Sequence, residues 1–292
     1  MTKASILILF FTIVALPFSS CFHFEKTNSI LEKYDVTQEE KIWLKEFFRD
    51  LLFESPGAYT LYGTKPMSMS CLDHFTREEK EKGYEKYLSL SDDEKAKCIF
   101  PRYDFTANYE KWEKIKDRFP ITKYLIGVFP SPYEKRAELV LFVNIELMLK
   151  TLLNHYEDFR YLLGTDFDPL KAVFEVEDRN SQFWNDVLKQ HTLLGILLGF
   201  GRSNSWFYMW DERCEQEQKK IKAFFQSLSV KRPEEKYIAN YGPQNFLLPI
   251  FGHYGLHADE ALIENYKKER TKIKALYRGR DEVDLALEWL TR

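Results

Sequence analysis

The sequence predicts an α+β fold, a helix-rich single domain with a small antiparallel sheet built from hairpins. Apolar residues recur at helical spacing along most of the chain, and short runs of β-type composition stand in pairs around turns. Because strands and helices do not alternate regularly, an antiparallel sheet is favoured over a doubly wound parallel one. No linker rich in Pro, Gly or Ser divides the chain, so residues 37–292 are expected to form one domain.

The helices are predicted from capping residues and apolar stripes. Thr37 to Glu40 forms a capping box before a stripe that stops at Ser55-Pro56-Gly57. Asn144 is expected to cap a helix that runs to Gly164. The other helices are expected to begin at Thr76, Ser91, Asp168 and Ser181, the last running to Gly199, or to cover residues 109–119, 204–228, 259–277 and 281–290.

Two hairpins are predicted to form the sheet. The first covers residues 58–73, whose apolar residues alternate on both sides of the turn Gly63-Thr64-Lys65-Pro66. The second pairs Tyr124–Phe129 with Glu138–Val143. Residues 246–251 are a candidate strand within a loop rich in Pro and Gly.

The first 20 residues have the three-part pattern of an export signal. Lys3 precedes an apolar run from Ala4 to Phe18, which is too short to span a bilayer comfortably, and two serines follow. The segment ending in Cys21 resembles the lipobox of bacterial lipoproteins, although Phe18 stands where leucine is usual. Residues 1–20 are therefore expected to be a signal peptide, Cys21 a lipidated residue and residues 21–36 a tether. Soluble export after cleavage and an uncleaved N-terminal anchor are the alternatives.

These features predict an exported protein of the cell envelope, held by its lipid on the periplasmic face of a membrane or on the outer membrane. The 42 basic and 45 acidic residues nearly balance, which argues against a nucleic-acid partner because such a partner requires a clustered basic face. The membrane is thus one expected partner, and a protein partner is a further candidate.

Two segments resemble recurring stretches of a known group of proteins. Residues 57–67 and 191–204 look like parts of uncharacterised exported or lipoprotein-like proteins of chlamydia-like intracellular bacteria. The resemblance supports the predicted location and implies no activity.

Several groups of residues have the residue types of a functional site, and each has a simpler structural explanation. Lys65, in the turn of residues 57–67, could bind an anion, but a tight hairpin turn is preferred. The group Cys71, Asp73 and His74 has the types of a nucleophile, an orienting acid and a base, yet contiguous residues rarely form such a site. The residue types of a zinc site occur at His253, His257, Asp259 and Glu260, but a loop leading into a helix cap is the preferred interpretation. No metal or cofactor is predicted.

The cysteines after Cys21 do not form a C-x-x-C pair, which disfavours a zinc ribbon or a dithiol. Two predictions remain open. Either Cys71 and Cys98 form one disulfide, or Cys71, Cys98 and Cys214 are three buried thiols.

The best candidate for a pocket is the segment after the Gly195-x-x-x-Gly199 helix. That helix is expected to pack closely on a neighbour, with His191 hydrogen-bonded in the core. Four aromatic residues occur between positions 206 and 210, and they cannot all enter one core, so at least one is expected to meet solvent, a pocket or a partner. The predicted pocket rim consists of His191, Arg202, Ser203, Asn204, Trp206 and Trp210.

The leading hypothesis is an exported binding or interaction module, and whether the protein is an enzyme stays open. One alternative is an exported hydrolase whose site is assembled from dispersed residues such as His74, Arg202, Asp211 and His253. Another is a secreted effector directed at a host, which would keep its N-terminal stretch.

Overall fold

The computed structural model describes residues 29–76, 105–217, 241–249 and 257–292, with isolated positions between 78 and 90. Of residues 211–217 and 257 it describes the backbone alone. The helices are α1 Ile30–Lys33, α2 Gln38–Arg49, α3 Ala58–Tyr62, α4 Phe105–Ile115, α5 Ile145–Asn154, α6 Tyr156–Leu163, α7 Pro169–Phe174, α8 Gln182–Val187, α9 His191–Leu197, α10 Arg202–Glu217, α11 His257–Leu276 and α12 Glu282–Leu290. A π-helical turn, Asp50–Glu54, extends α2, and 3-10 helices cover Lys116–Arg118 and Glu175–Glu177.

The sheet has three antiparallel strands, β1 Met67–Asp73, β2 Tyr124–Pro130 and β3 Ala137–Asn144. Strand β3 lies in the centre, in the order β1-β3-β2. The fold is therefore α+β, as predicted, and the β2–β3 hairpin confirms the second predicted hairpin.

The sheet is the middle layer between two layers of helices. Val140 and Phe142 of β3 belong to one hydrophobic cluster, which includes residues of α2, α4, α11 and α12. Leu139 and Leu141 belong to a second cluster, which includes residues of α5 to α9. Since successive side chains of a strand point to opposite faces, β3 is buried on both sides.

The first predicted hairpin is wrong. Ala58–Tyr62 is the short helix α3, and β1 pairs with β3, so residues 58–73 do not fold back on themselves. Tyr59, Thr60 and Leu61 are all buried, because helices and the sheet surround α3. The alternating apolar residues of this segment therefore do not mark one face of a strand, because consecutive residues of α3 are all buried.

The predicted caps that lie within the described residues include Thr37 and Asn144, which are confirmed, but two helices are shorter than expected. Thr37 Oγ1 accepts from the backbone N–H of Glu40, and Asn144 Oδ1 accepts from that of Leu147, both at 3.1 Å. The predicted 144–164 helix breaks at His155, and the helix from Ser181 breaks between Leu188 and Gln190. The helices that follow the two breaks both contribute buried residues to the second cluster.

The folded part begins earlier than the predicted boundary at residue 37. The residues of α1 and its flanks pack against the first cluster, and Ser29 Oγ donates to Asp284 Oδ1 of α12 at 2.6 Å. Arg118 also donates to the carbonyls of Tyr34 and Asp35. The prediction of a tether over residues 21–36 is therefore corrected for residues 29–36.

Several predicted features lie wholly or partly outside the described residues. These are the signal peptide, Cys21, the helix from Ser91, Cys98, residues 218–228 of the predicted 204–228 helix, and residues 250–251 of the candidate strand. Residues 246–249 of that candidate are described and do not form a strand.

Candidate functional site

A surface depression of about 440 Å³ lies between α6 and the first turns of α10. Its lining residues are Glu157, Asp158, Arg160, Tyr161, Arg202 and Trp206. On α6 the lining residues follow the three- and four-residue spacing that places side chains on one helix face, and Arg202 and Trp206 follow it on α10.

The turn before α10 brings that helix close to α9. Gly199 and Gly201 have φ values of +72° and +86°, a backbone region that glycine enters without a steric penalty. A Cβ at Gly195 would lie 2.6 Å from Ser205 Oγ, so a larger residue would force Ser205 to move where the two helices touch. This confirms the close helix packing predicted from the Gly195-x-x-x-Gly199 spacing.

Asp158 is the centre of the polar contacts in the depression. It is buried, and its carboxylate accepts from Arg202 Nε and Nη2, each at 2.7 Å. Trp206 Nε1 also donates to it at 3.1 Å, and His155 Nδ1 lies 3.4 Å away. The two-pronged contact fixes the planes of the carboxylate and the guanidinium relative to each other.

These contacts decide the charge of Asp158. Burial alone would raise its pKa, but the hydrogen bonds and the positive charge of Arg202, with smaller contributions from Trp206 and His155, hold the pKa below its usual value. The same pair raises the pKa of Arg202. Asp158 is therefore a fixed anion at neutral pH, and it does not act as a proton donor there.

Three aromatic rings form a continuous surface at the depression, here called the aromatic face: Tyr161, Trp206 and Trp210. Ring centroids are 6.1 Å apart between Tyr161 and Trp206 and 6.0 Å apart between Trp206 and Trp210. Tyr161 is 76% exposed and Trp210 is 44% exposed. The prediction that an aromatic residue between positions 206 and 210 meets solvent is thus confirmed.

The predicted rim residues separate into two groups. Arg202 and Trp206 line the depression, and Trp210 adjoins it through Trp206. The others are elsewhere: Ser203 is exposed on α10, Asn204 is buried, and His191 is in ring contact with Tyr133 and Tyr208. His191 is only partly buried, so its predicted place in the core is wrong.

The α6 residues of the site were not among those predicted from the sequence. Asp158 and Arg202 are 44 positions apart, and no spacing rule connects two helices that meet only after the chain folds. The local signal that could have found Tyr161 is its position off the apolar stripe of α6, where a large ring has no core to enter.

Lys65 faces the interior and cannot serve an exposed anion loop. Its side chain is fully buried, its Nζ donates to the carbonyl of Met67, and the ammonium lies 5.7 Å from the ring centroid of Phe200. Burial lowers the pKa of Lys65 to about 7. The preferred hairpin turn is also wrong, since Gly63 to Pro66 connects α3 to β1.

The group Cys71, Asp73 and His74 is not assembled for catalysis. Cys71 is a free, exposed cysteine whose pKa is raised by partial burial and by the charges of Asp73 and Glu134. A thiol with a raised pKa is a weak nucleophile at neutral pH. His74 Nε2 instead lies 2.9 Å from Glu138 Oε2.

For the cysteine predictions, Cys71 is neither buried nor paired, and the side chains of Cys98 and Cys214 lie outside the described residues.

The histidine cluster considered for zinc falls largely outside the described residues, which include neither His253 nor the side chain of His257. Asp259 is buried and Glu260 is exposed. In the described parts of the chain, no group of three or more His, Cys, Asp or Glu side chains is arranged to hold a metal ion.

A second depression, of about 360 Å³, lies beside α7 and α8 and is rich in carboxylates. Its acids already have structural partners. Asp168 caps α7, Glu175 accepts from Ser181 Oγ at 2.7 Å, and Asp186 accepts from Gln182 at 2.6 Å. The first depression is therefore the better candidate site.

Across the ranges that the structure describes, no helix is both long and apolar enough to cross a membrane. Comparison with known proteins found no family model, no curated protein and no solved structure that matches this chain.

Proposed function

We propose that this protein is an exported binding module, anchored to a membrane by a lipid on Cys21, which uses the aromatic face to hold its ligand. The observation that carries the proposal is the exposure of Tyr161 and Trp210 on either side of Trp206. Large rings that stay in water next to a depression favour a binding surface, because aromatic side chains supply much contact area at low entropic cost.

The polar contacts under the aromatic face support the same function. Arg202 and Trp206 are both tied to Asp158, so the central ring keeps one position before any ligand arrives. A side chain that is already fixed loses less conformational entropy on binding. The site is therefore preorganised on two helices.

A hydrolase assembled from dispersed residues has less support. His74 contacts Glu138, whereas Arg202 is hydrogen-bonded to Asp158. The two candidate residues therefore share no partner in these contacts. A carboxylic acid that serves as general acid at neutral pH needs a raised pKa, whereas that of Asp158 is lowered. The side chains of Asp211 and His253 lie outside the described residues.

The N-terminus tests the location. The mass of the mature protein from its native cell is expected to correspond to a chain that begins at Cys21 and carries a lipid. A Cys21→Ser variant is expected to lose that mass and to leave the membrane fraction. An intact Met1 contradicts cleavage and favours the host-directed effector.

Binding to the envelope tests the function. A chain beginning at Ser29 is incubated with the isolated envelope fraction of the native cell, and the bound protein is measured after sedimentation. Tyr161→Ala and Trp210→Ala are expected to reduce binding, whereas Phe75→Ala, which removes an exposed ring outside the aromatic face, leaves it unchanged. Equal binding by all variants contradicts the proposed function.

A further inference from the structure

We infer that the depression beside the aromatic face binds an uncharged sugar ring. The inference rests on the proposed function, since it names the ligand class for the same surface. It depends on three properties of the lining residues: balanced charge, an exposed ring, and polar groups at the edge.

The charges that line the depression cancel in pairs. Asp158 is paired with Arg202, and Glu157 Oε2 accepts from Arg160 Nη2 at 2.6 Å. A phosphate or another anion would therefore compete with a carboxylate already bound to each guanidinium. A cation meets the converse difficulty, so an uncharged ligand fits best.

Tyr161 supplies a platform for such a ligand. It is the most exposed ring of the aromatic face and makes ring contact with Trp206, which is itself held by Asp158. A pyranose has a face of C–H groups that packs on an aromatic ring and an edge of hydroxyl groups that needs hydrogen bonds. Tyr161 offers the apolar face that this shape requires.

Polar groups are available for the hydroxyl edge. Asp158 takes Nε and Nη2 of Arg202, so Nη1 is not part of that pair, and the Arg202 side chain is 58% exposed. Glu157 and Arg160 also face solvent, with exposed fractions of 74% and 51%. Planar guanidinium and carboxylate groups donate to and accept from hydroxyls in fixed directions.

The same residues make a protein partner less suitable. Protein interfaces are depleted of Asp and Glu, yet Glu157 and Asp158 both line the depression. A flat partner would have to bury both ion pairs, whereas a small ring can enter the depression and leave their outer edges in water. The volume of about 440 Å³ lies in the range of small-molecule sites.

The test uses neutral oligosaccharides as probes. Chitohexaose, cellohexaose and maltohexaose are titrated into the chain beginning at Ser29, and tryptophan fluorescence is followed. At least one is expected to bind saturably below about 10 mM. Because the probe is uncharged, raising NaCl from about 50 to 500 mM should leave the Kd unchanged.

Variants connect the binding to the depression. Tyr161→Ala is expected to raise the Kd about tenfold, whereas Tyr161→Phe, which keeps the ring, changes it by about twofold or less. Phe75→Ala is expected to bind like the parent. Equal affinity of Tyr161→Ala and the parent overturns the inference.

Competition separates this inference from the proposed function. The bound oligosaccharide is expected to displace the protein from the envelope fraction. If envelope binding depends on the aromatic face but no oligosaccharide binds or competes, the sugar is the wrong ligand and the binding module stands. Binding to the envelope fraction that weakens steeply with salt also overturns the inference, because it indicates that the ligand in the envelope is charged.

Discussion

At the scale of single residues, the contact between Asp158 and Arg202 determines the shape of the candidate site. It joins α6 to α10 through two hydrogen bonds of 2.7 Å and leaves the carboxylate ionised. The guanidinium of Arg202 also lies over the Trp206 ring, 6.0 Å from its centroid. The pair is thus both a structural link and the support for Trp206.

Asp158→Asn is expected to lower the free energy of unfolding by about 1 to 3 kcal/mol, because hydrogen bonds to a charged group are lost in a buried place. Urea unfolding measures this change. Glu157→Gln, which breaks the exposed pair with Arg160, should cost about 0.5 kcal/mol or less. If Asp158→Asn and Arg202→Met have additive effects, the pair does not couple the two helices.

Lys65 gives the protein a distinctive pH dependence. The pKa of its amine is about 7 in the folded state and about 10.5 in the unfolded chain, because burial disfavours the charged form. Between these values the unfolded chain binds the proton and the folded protein does not. Stability should therefore rise with pH from about 7 to 10.5, with a contribution of about 1.4 kcal/mol per pH unit.

Lys65→Met tests this dependence, because methionine fills a similar volume without a charge. The variant is expected to be more stable than the parent at pH 7 and to lose the rise above it. Denaturant unfolding at a series of pH values measures both effects. If the free energy of unfolding changes with pH in the same way for both proteins, Lys65 does not change its protonation on unfolding.

At the scale of elements, the close packing of β2 on the 3-10 helix Glu175–Glu177 depends on Gly127. A Cβ at this position would collide with the carbonyl oxygen of Val176. Gly127→Ala is expected to lower the free energy of unfolding by about 1 to 3 kcal/mol, as overpacking does elsewhere. Gly242→Ala is the control, since a Cβ at Gly242 meets no atom of the described residues within 4 Å. Equal stability of the two variants would contradict this account.

The elements also show which parts of the fold the sequence could predict. Caps depend on residues three positions apart, so Thr37, Asn144 and Asp281 mark helix starts that the structure confirms. The β2–β3 hairpin is likewise local. The helix α3 and the break at His155 depend on packing against distant elements, and local sequence patterns carry no information about that packing.

The candidate site follows the same division. Arg202, Trp206 and Trp210 were predicted because they lie on one short stretch of sequence. Asp158 and Tyr161 were missed because only the packing of α6 against α10 brings them there. For a site shared by two helices, a local stretch of sequence therefore predicts only the residues on its own helix.

At the scale of the whole molecule, residues 29–36 belong to the folded protein. They pack on the first cluster, and Arg118 and Asp284 bind their backbone and side chains. A chain beginning at Thr37 is expected to melt about 5 °C or more below one beginning at Ser29, because it loses these contacts. A difference of less than about 1 °C would show that the segment is a tether after all.

The early start of the fold also limits how far the protein can stand from a membrane. With a lipid on Cys21, only residues 22–28 separate the anchored residue from Ser29, and a fully extended chain spans at most about 3.5 Å per residue. The Cα atom of Ser29 then lies within about 28 Å of that of Cys21. The protein would thus work close to the bilayer surface, and it could capture only ligands that approach that surface.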